Sequence, residues 1–131
     1  MSEKNNGQFD YDDWVRDALR GVLRQALETL AASQEPGEHH FYVNFQTTHS
    51  GVSVPGFLKA QYPEEVTIVL QHQFEDLYVE ESGFEVTLSF SGQRHRLVIP
   101  FSAVTSFADP SVEFGIQLNQ QTMPEFDIEI D

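Results

Sequence analysis

Cysteine is absent from all 131 residues. Disulfides and thiolate metal sites are therefore excluded, and the composition fits a reducing compartment, so a cytoplasmic location is expected. Also missing is any run of about 18 apolar residues, the length a membrane-spanning helix needs. The opening residues, MSEKNNGQFDYDD, are polar and acidic and lack the apolar stretch of a secretory signal. Positive charge is scarce: seven Lys and Arg stand against 21 Asp and Glu, for a formal net charge of −14. Such a chain is repelled by phosphate backbones and anionic lipid, so neither nucleic acid nor a membrane is an expected partner. No P-loop, no G-x-G-x-x-G and no G-x-S-x-G elbow occurs, which removes the usual sequence signs of nucleotide binding and serine hydrolysis.

What is present is apolar and aromatic. Hydrophobic residues make up 40% of the chain and eleven are Phe, enough for one core and one domain. Residues 1–9 read as disordered. From Asp10 to about Ser33 the apolar positions Tyr11, Trp14, Val15, Ala18, Leu19, Val22, Leu23, Ala26, Leu27 and Leu30 recur at helical spacing. Asp10, Asp12 and Asp13 crowd the start, where the helix dipole favours negative charge. Arg16, Arg20 and Arg24 form a row that can pair with Asp12, Asp13, Asp17 and Glu28 as a solvated face. Gly21 inside a helix costs about 1 kcal/mol relative to Ala. Close approach of a second helix gives it a reason; packing on the chain's own sheet is the plainer alternative.

After Pro36-Gly37 the pattern turns to β. Residues 39–47, 76–82, 84–90, 95–101 and 112–118 read as short strands, and SAVTSF after Phe101 as a continuation through a helical turn. VTIVLQHQF (66–74) is a nearly continuous apolar run, expected as one strand covered on both faces. In that strand Gln71 and Gln73 would share one face, with Leu70, His72 and Phe74 on the other. A side-chain amide there either recognises a peptide backbone or caps loop carbonyls within the fold. GVSVPGFLKAQYP (51–63) is harder to place: Val52 and Val54 alternate like a strand, Pro55-Gly56 stops them, and Phe57, Leu58 and Tyr62 follow. Turn signals between several short strands indicate an α+β, mainly β domain: a small barrel or sandwich over about residues 38–118, behind an N-terminal amphipathic helix. NQQTMPEFDIEID (119–131) is expected to be a flexible acidic tail, with Phe126, Ile128 and Ile130 alternating with carboxylates.

Catalytic chemistry finds little footing. The five His are scattered, and the adjacent His39 and His40 would point to opposite faces of a strand. Glu64-Glu65 and Glu80-Glu81 fall at turns, where solvated carboxylates are the simpler reading. No metal, no cofactor and no enzymatic activity is expected. A small hydrolase or metal enzyme and an RNA-binding module remain as alternatives.

The ordered set of an N-terminal amphipathic helix, GVSVP (51–55), VTIVLQHQF (66–74), GFEVTLSFSG (83–92), LVIPFSAVTSF (97–107) and DPSVEFGIQL (109–118) resembles the stringent starvation protein B (SspB) family, most closely its alphaproteobacterial branch. The resemblance implies a small Sm-like β-barrel, a homodimer joined by its N-terminal helices, and no catalysis. It implies an adaptor that holds the ssrA degradation tag of stalled translation products and delivers it to the ClpXP protease. The C-terminal tail would tether it to the unfoldase ClpX. The implied tag groove comprises Val52, Val54, Pro55, Phe57, Gln71, His72, Gln73, Phe74, Phe90, Ser91, Phe101, Ser102, Ala103 and Val104. The implied dimer contact comprises Tyr11, Trp14, Ala18, Gly21 and Val22. Family tails typically carry an apolar ClpX-binding segment with a basic residue, whereas EFDIEID is acidic.

Overall fold

The computed structural model describes residues 8–118. The expected tail at 119–131 lies outside them, as does most of the expected disordered N-terminus; Phe9 is placed, stacked on Tyr11 with ring centroids 6.0 Å apart.

Helix α1 runs Tyr11–Ser33. Asp10 caps it, its carboxylate accepting from the Asp13 N–H at 3.3 Å. Leu23, Leu27 and Leu30 are its buried residues. These positions share one face of a 3.6-residue helix, so its fully buried anchors lie in the C-terminal half, with Leu19 packed against the core one turn before them. The expected arginine row forms as Arg16–Asp13, Arg20–Asp17 and Arg24–Glu28 pairs. Gln34 ends the helix in the left-handed region, with φ 59°.

The remaining elements are β1 (Phe41–Gln46), α2 (Gly56–Gln61), β2 (Glu65–Leu70), β3 (Phe74–Val79), β4 (Gly83–Phe90), β5 (Gln93–Pro100), a 3₁₀ turn at Phe101–Ala103, β6 (Val104–Asp109), a second 3₁₀ turn at Pro110–Val112, and β7 (Phe114–Gln117). All pairings are antiparallel. They build two sheets, in the orders β2-β1-β6-β7 and β3-β4-β5. The core between them is filled by Phe45, Phe84, Phe107 and a shell of Leu, Ile and Val.

Three expectations change. First, among the described residues no strand ladder joins the two sheets into the closed barrel that the resemblance implies; β2 and β3 are each at an edge. Second, residues 66–74 are not one strand. β2 stops at Leu70, and β3 begins at Phe74 in the other sheet. The stretch between is polar, and Gln71 turns its amide N–H onto the His40 Nδ1 at 3.2 Å. β2 is also covered on one face only: Val66, Ile68 and Leu70 are buried, while Glu65, Thr67 and Val69 are exposed. An edge strand with one solvated face needs no apolar residue at its outward positions, so Val69 there is not explained by the core. Third, GFLKAQ forms a short helix, α2, where no element was expected. Pro55, with φ −59°, stands at its N-cap, and Leu58 is its buried residue.

Two sheet edges are closed by side chain or loop. Gln34 donates its amide to the Leu77 carbonyl at 2.9 Å and accepts from the Leu77 N–H at 3.0 Å. It thus pairs with β3 as a neighbouring residue of a strand would. Ser53 exchanges both backbone hydrogen bonds with Val98 of β5, each at 2.9 Å. Its neighbour Gly51 lies so close to Pro100 that a Cβ there would be 2.8 Å from the ring Cγ.

Candidate functional site

The hydrogen-bond phase of the two sheets locates the main groove. Thr47 N–H donates to the Glu64 carbonyl at 2.9 Å, in register with the β1–β2 pairs Phe45↔Val66, Val43↔Ile68 and Phe41↔Leu70. Because antiparallel pairing alternates, the backbone groups of Glu65, Thr67 and Val69 point away from β1. In the second sheet Phe101 N–H donates to the Ser82 carbonyl at 2.9 Å, in register with the β4–β5 pairs. By the same alternation the backbone of Ser89 points away from β5. The β3 ladder begins at Phe74↔Leu88, so it stops short of Ser89. Between these two strand margins, with α2 above them, lies a cavity of about 510 Å³. Its lining includes Phe57 of α2, Tyr62 just after that helix, Thr67 and Val69 of β2, and Ser89 and Phe90 of β4.

Its apolar wall is aromatic. Phe57 is 47% exposed and meets Phe90 edge-on at 5.6 Å and His95 at 5.3 Å. Tyr62 and Val69 are 41% and 40% exposed. A second cavity of about 330 Å³, lined by His72, Gln73, Phe74 and Arg94 among others, adjoins the first through Gln73, Leu88 and Ser89. Arg94 there is paired with Glu75.

The residues singled out from the sequence separate into groups. Phe57, Gln73, Phe90 and Ser91 line the main groove, and His72 and Phe74 its extension, with Phe74 buried as a floor. Val52 and Val54 pack against the core and do not line the groove, and Pro55 sets the start of α2. Phe101, Ala103 and Val104 are buried in the core, and Ser102 is exposed facing α1, in a cavity with Arg20 and Arg24. These four do not line the groove: the turn at 101–103 leaves β5 at the end away from Phe90 and Ser91. Gln71 is spent on His40. The sequence reading missed Leu58, Gln61 and Tyr62, the β2 residues Val66 to Val69, and Leu88 and Ser89. Alternation within EVTIVL held the signal for Thr67 and Val69, but an apolar run read as covered on both faces hides it.

The family model for stringent starvation protein B matches residues 13–129. The chain belongs to this family. No curated protein matches the chain. Membership in the stringent starvation protein B family carries a general role as a protease adaptor. No helix of the described residues is long and apolar enough to cross a membrane.

Two polar clusters lie outside the groove of this family member. His49 Nδ1 accepts the Gly51 N–H at 3.0 Å, so the neutral ring carries its proton on Nε2 and donates it to Ser102 Oγ, 3.0 Å away. That polarity is opposite to a base withdrawing a proton from a nucleophilic serine. At the other end of the core, Asp109 is buried and accepts from Ser111 Oγ at 2.6 Å, Ser111 N–H at 3.2 Å and His39 Nδ1 at 2.6 Å. Burial pushes its carboxyl up, but the bonds from Ser111, His39 and the His40 backbone outweigh this and hold it below the ordinary carboxylate value. Ser111 Oγ and Asp109 meet the same nitrogen of His39. A catalytic triad needs them on opposite ring nitrogens, so this cluster ties the segment leading into β1 to the β6–β7 connection. Among the described residues no group of three His, Asp or Glu is arranged to hold a metal.

The N-terminal half of α1 carries a further exposed surface. Tyr11, Trp14 and Val22 are 63%, 50% and 42% exposed, and Ala18 is exposed on the same side. Among the described residues, nothing beyond the helix's own nearby backbone lies within 4 Å of where a Gly21 Cβ would be. Packing among the described residues therefore gives no reason for glycine at that position.

Proposed function

We propose that this protein is a non-enzymatic adaptor that holds the ssrA degradation tag in the groove between α2, β2 and β4 and delivers tagged proteins to the ClpXP protease. The observation that carries this reading is the pairing of two strand margins, Thr67–Val69 and Ser89, with an aromatic wall of Phe57, Tyr62 and Phe90. An extended peptide needs both: backbone groups to satisfy its own, and pockets for alternate side chains. Gln73, free of the His40 contact that occupies Gln71, adds an amide at the junction of the two cavities.

The exposed stripe of Tyr11, Trp14, Ala18, Gly21 and Val22 suits a second copy, with Gly21 admitting a close helix crossing. A homodimer of tethered adaptors raises the effective concentration of tag at the protease without tight individual contacts. The family's tether to ClpX would belong to residues 119–131. The net charge of −14 weighs against the RNA-binding alternative.

The test is binding of a fluorescent ssrA-tag peptide to the full chain. The peptide is expected to bind with Kd in the micromolar range or below, equivalent to about −8 kcal/mol or more, and Gln73→Ala to weaken it about tenfold with the fold intact. No binding at tens of micromolar sinks the reading.

A further inference from the structure

The chain leaves the described fold in line with the groove. Leu118 N–H donates to the Thr105 carbonyl of β6 at 2.8 Å. Thr105 Oγ1 donates to Asn44 of β1, at 3.3 Å to its carbonyl and more closely to its Oδ1. Asn44 Nδ2 in turn donates to Thr67 Oγ1 of β2 at 2.7 Å. A single polar row thus crosses the first sheet from Leu118 to the margin of the groove. Its three strand steps amount to about 14 Å. Residues 119–124, extended, span up to about 20 Å, so a segment beginning at Glu125 has the length to reach β2.

That segment has the pattern of a strand. In EFDIEI (125–130) Phe126, Ile128 and Ile130 alternate with Glu125, Asp127 and Glu129. An alternating strand places its apolar side chains on one face and its backbone groups along both edges. The groove offers the complement: an apolar wall on one side and outward backbone groups of Thr67, Val69 and Ser89 on the other two.

We infer that residues 125–130 of this protein add as a strand between β2 and β4 and occupy the groove in competition with the tag. The inference rests on the groove being the tag site. It makes the acidic segment a pseudo-ligand, so a partner that takes the segment also frees the groove, and the two events are coupled reciprocally. With the segment in place the two sheets would be joined through one added strand.

The experiment compares the full chain with a full-length variant carrying Phe126→Ser, Ile128→Ser and Ile130→Ser. Amide hydrogen exchange is followed by NMR, and binding of the fluorescent ssrA-tag peptide is measured separately. The expected result is at least tenfold slower exchange at the Thr67, Val69 and Ser89 amides in the natural chain. The Val43 amide should be equally protected in both chains, and the peptide should bind the variant about three- to tenfold more tightly. Equal exchange at Thr67 and Val69 in the two chains overturns the inference, as does protection that moves to Gly115 on β7. If the peptide then still binds both chains equally, the tag site stands without the competitor. If neither chain binds the peptide while Thr67 and Val69 are protected only in the natural chain, the segment's docking stands and the tag reading fails.

Discussion

Two kinds of sheet edge coexist in this small domain. β3 is met at Leu77 by the Gln34 side chain, and β5 is met at Val98 by Ser53. Among the described residues β2 and the end of β4 have no such cover, and aromatic side chains gather there instead. An exposed edge is a template for adding another strand, and folded proteins usually blunt it. Here the β3 and β5 edges are each met by a single residue, while the β2 edge is left beside Phe57, Tyr62 and Val69. The difference separates edges that hold the fold from an edge available to a ligand.

Substitutions can break that comparison. The largest effect is expected at Gln34→Ala. It removes both partners of the buried Leu77 backbone and the bond to the Ala31 carbonyl, 2.7 Å away. Unsatisfied buried groups cost about 1–3 kcal/mol each, and water at the exposed helix end recovers part of this. A loss of about 2–3 kcal/mol in urea denaturation is expected, with tag-peptide affinity of the folded fraction unchanged. A neutral outcome would mean that α1 alone closes β3.

A smaller effect is expected at Asp109→Asn, which tests the tie rather than an edge. Its carboxyl is held below the ordinary value in the folded state, so it contributes stability above the unfolded carboxylate pKa of about 3.9 and loses it as pH falls through the lower folded value. The natural chain should exceed the variant by about 1–2 kcal/mol near pH 5. The gap should close toward pH 2–3 in denaturation curves taken across that range. A gap that is constant with pH would assign the effect to packing.

The smallest stability effect belongs to the open edge. Phe57→Ala removes a half-exposed ring whose contacts are edge-on to Phe90 and His95. It should cost only about 0.5–1 kcal/mol of stability, yet weaken tag-peptide binding tenfold or more by fluorescence anisotropy. Equal losses in both measurements would make Phe57 part of the core and not of the groove.

The helix α1 and its arginine row follow from spacing that is local in the chain, and so does the division of residues 84–100 into a hairpin around Ser91-Gly92. The groove was legible only in part. Phe57 and Gln73 stood out because an aromatic after Pro-Gly and an amide in an apolar run are locally unexpected. Val69 and Thr67 did not, because whether an outward residue is covered depends on which strand lies beside it. The family resemblance implied Phe101, Ala103 and Val104 as groove residues, and burial assigns them to the core. Gln71 and Gln73 are two residues apart and alike in sequence. One is held by His40 from a distant part of the chain, and the other is left in the groove.

The sequence by itself determined the periodic elements, the acidic balance and the family resemblance, because each is written in residues close together or in their order. Only the tertiary structure decided which sheet edges are closed and where the strand margins face each other. Those outcomes depend on hydrogen bonds between residues 43 apart, as at Gln34 and Leu77, and on the phase of pairing between whole strands. Backbone donors and acceptors are the same at every position, so no local pattern of side chains reveals which of them are left without a strand beside them.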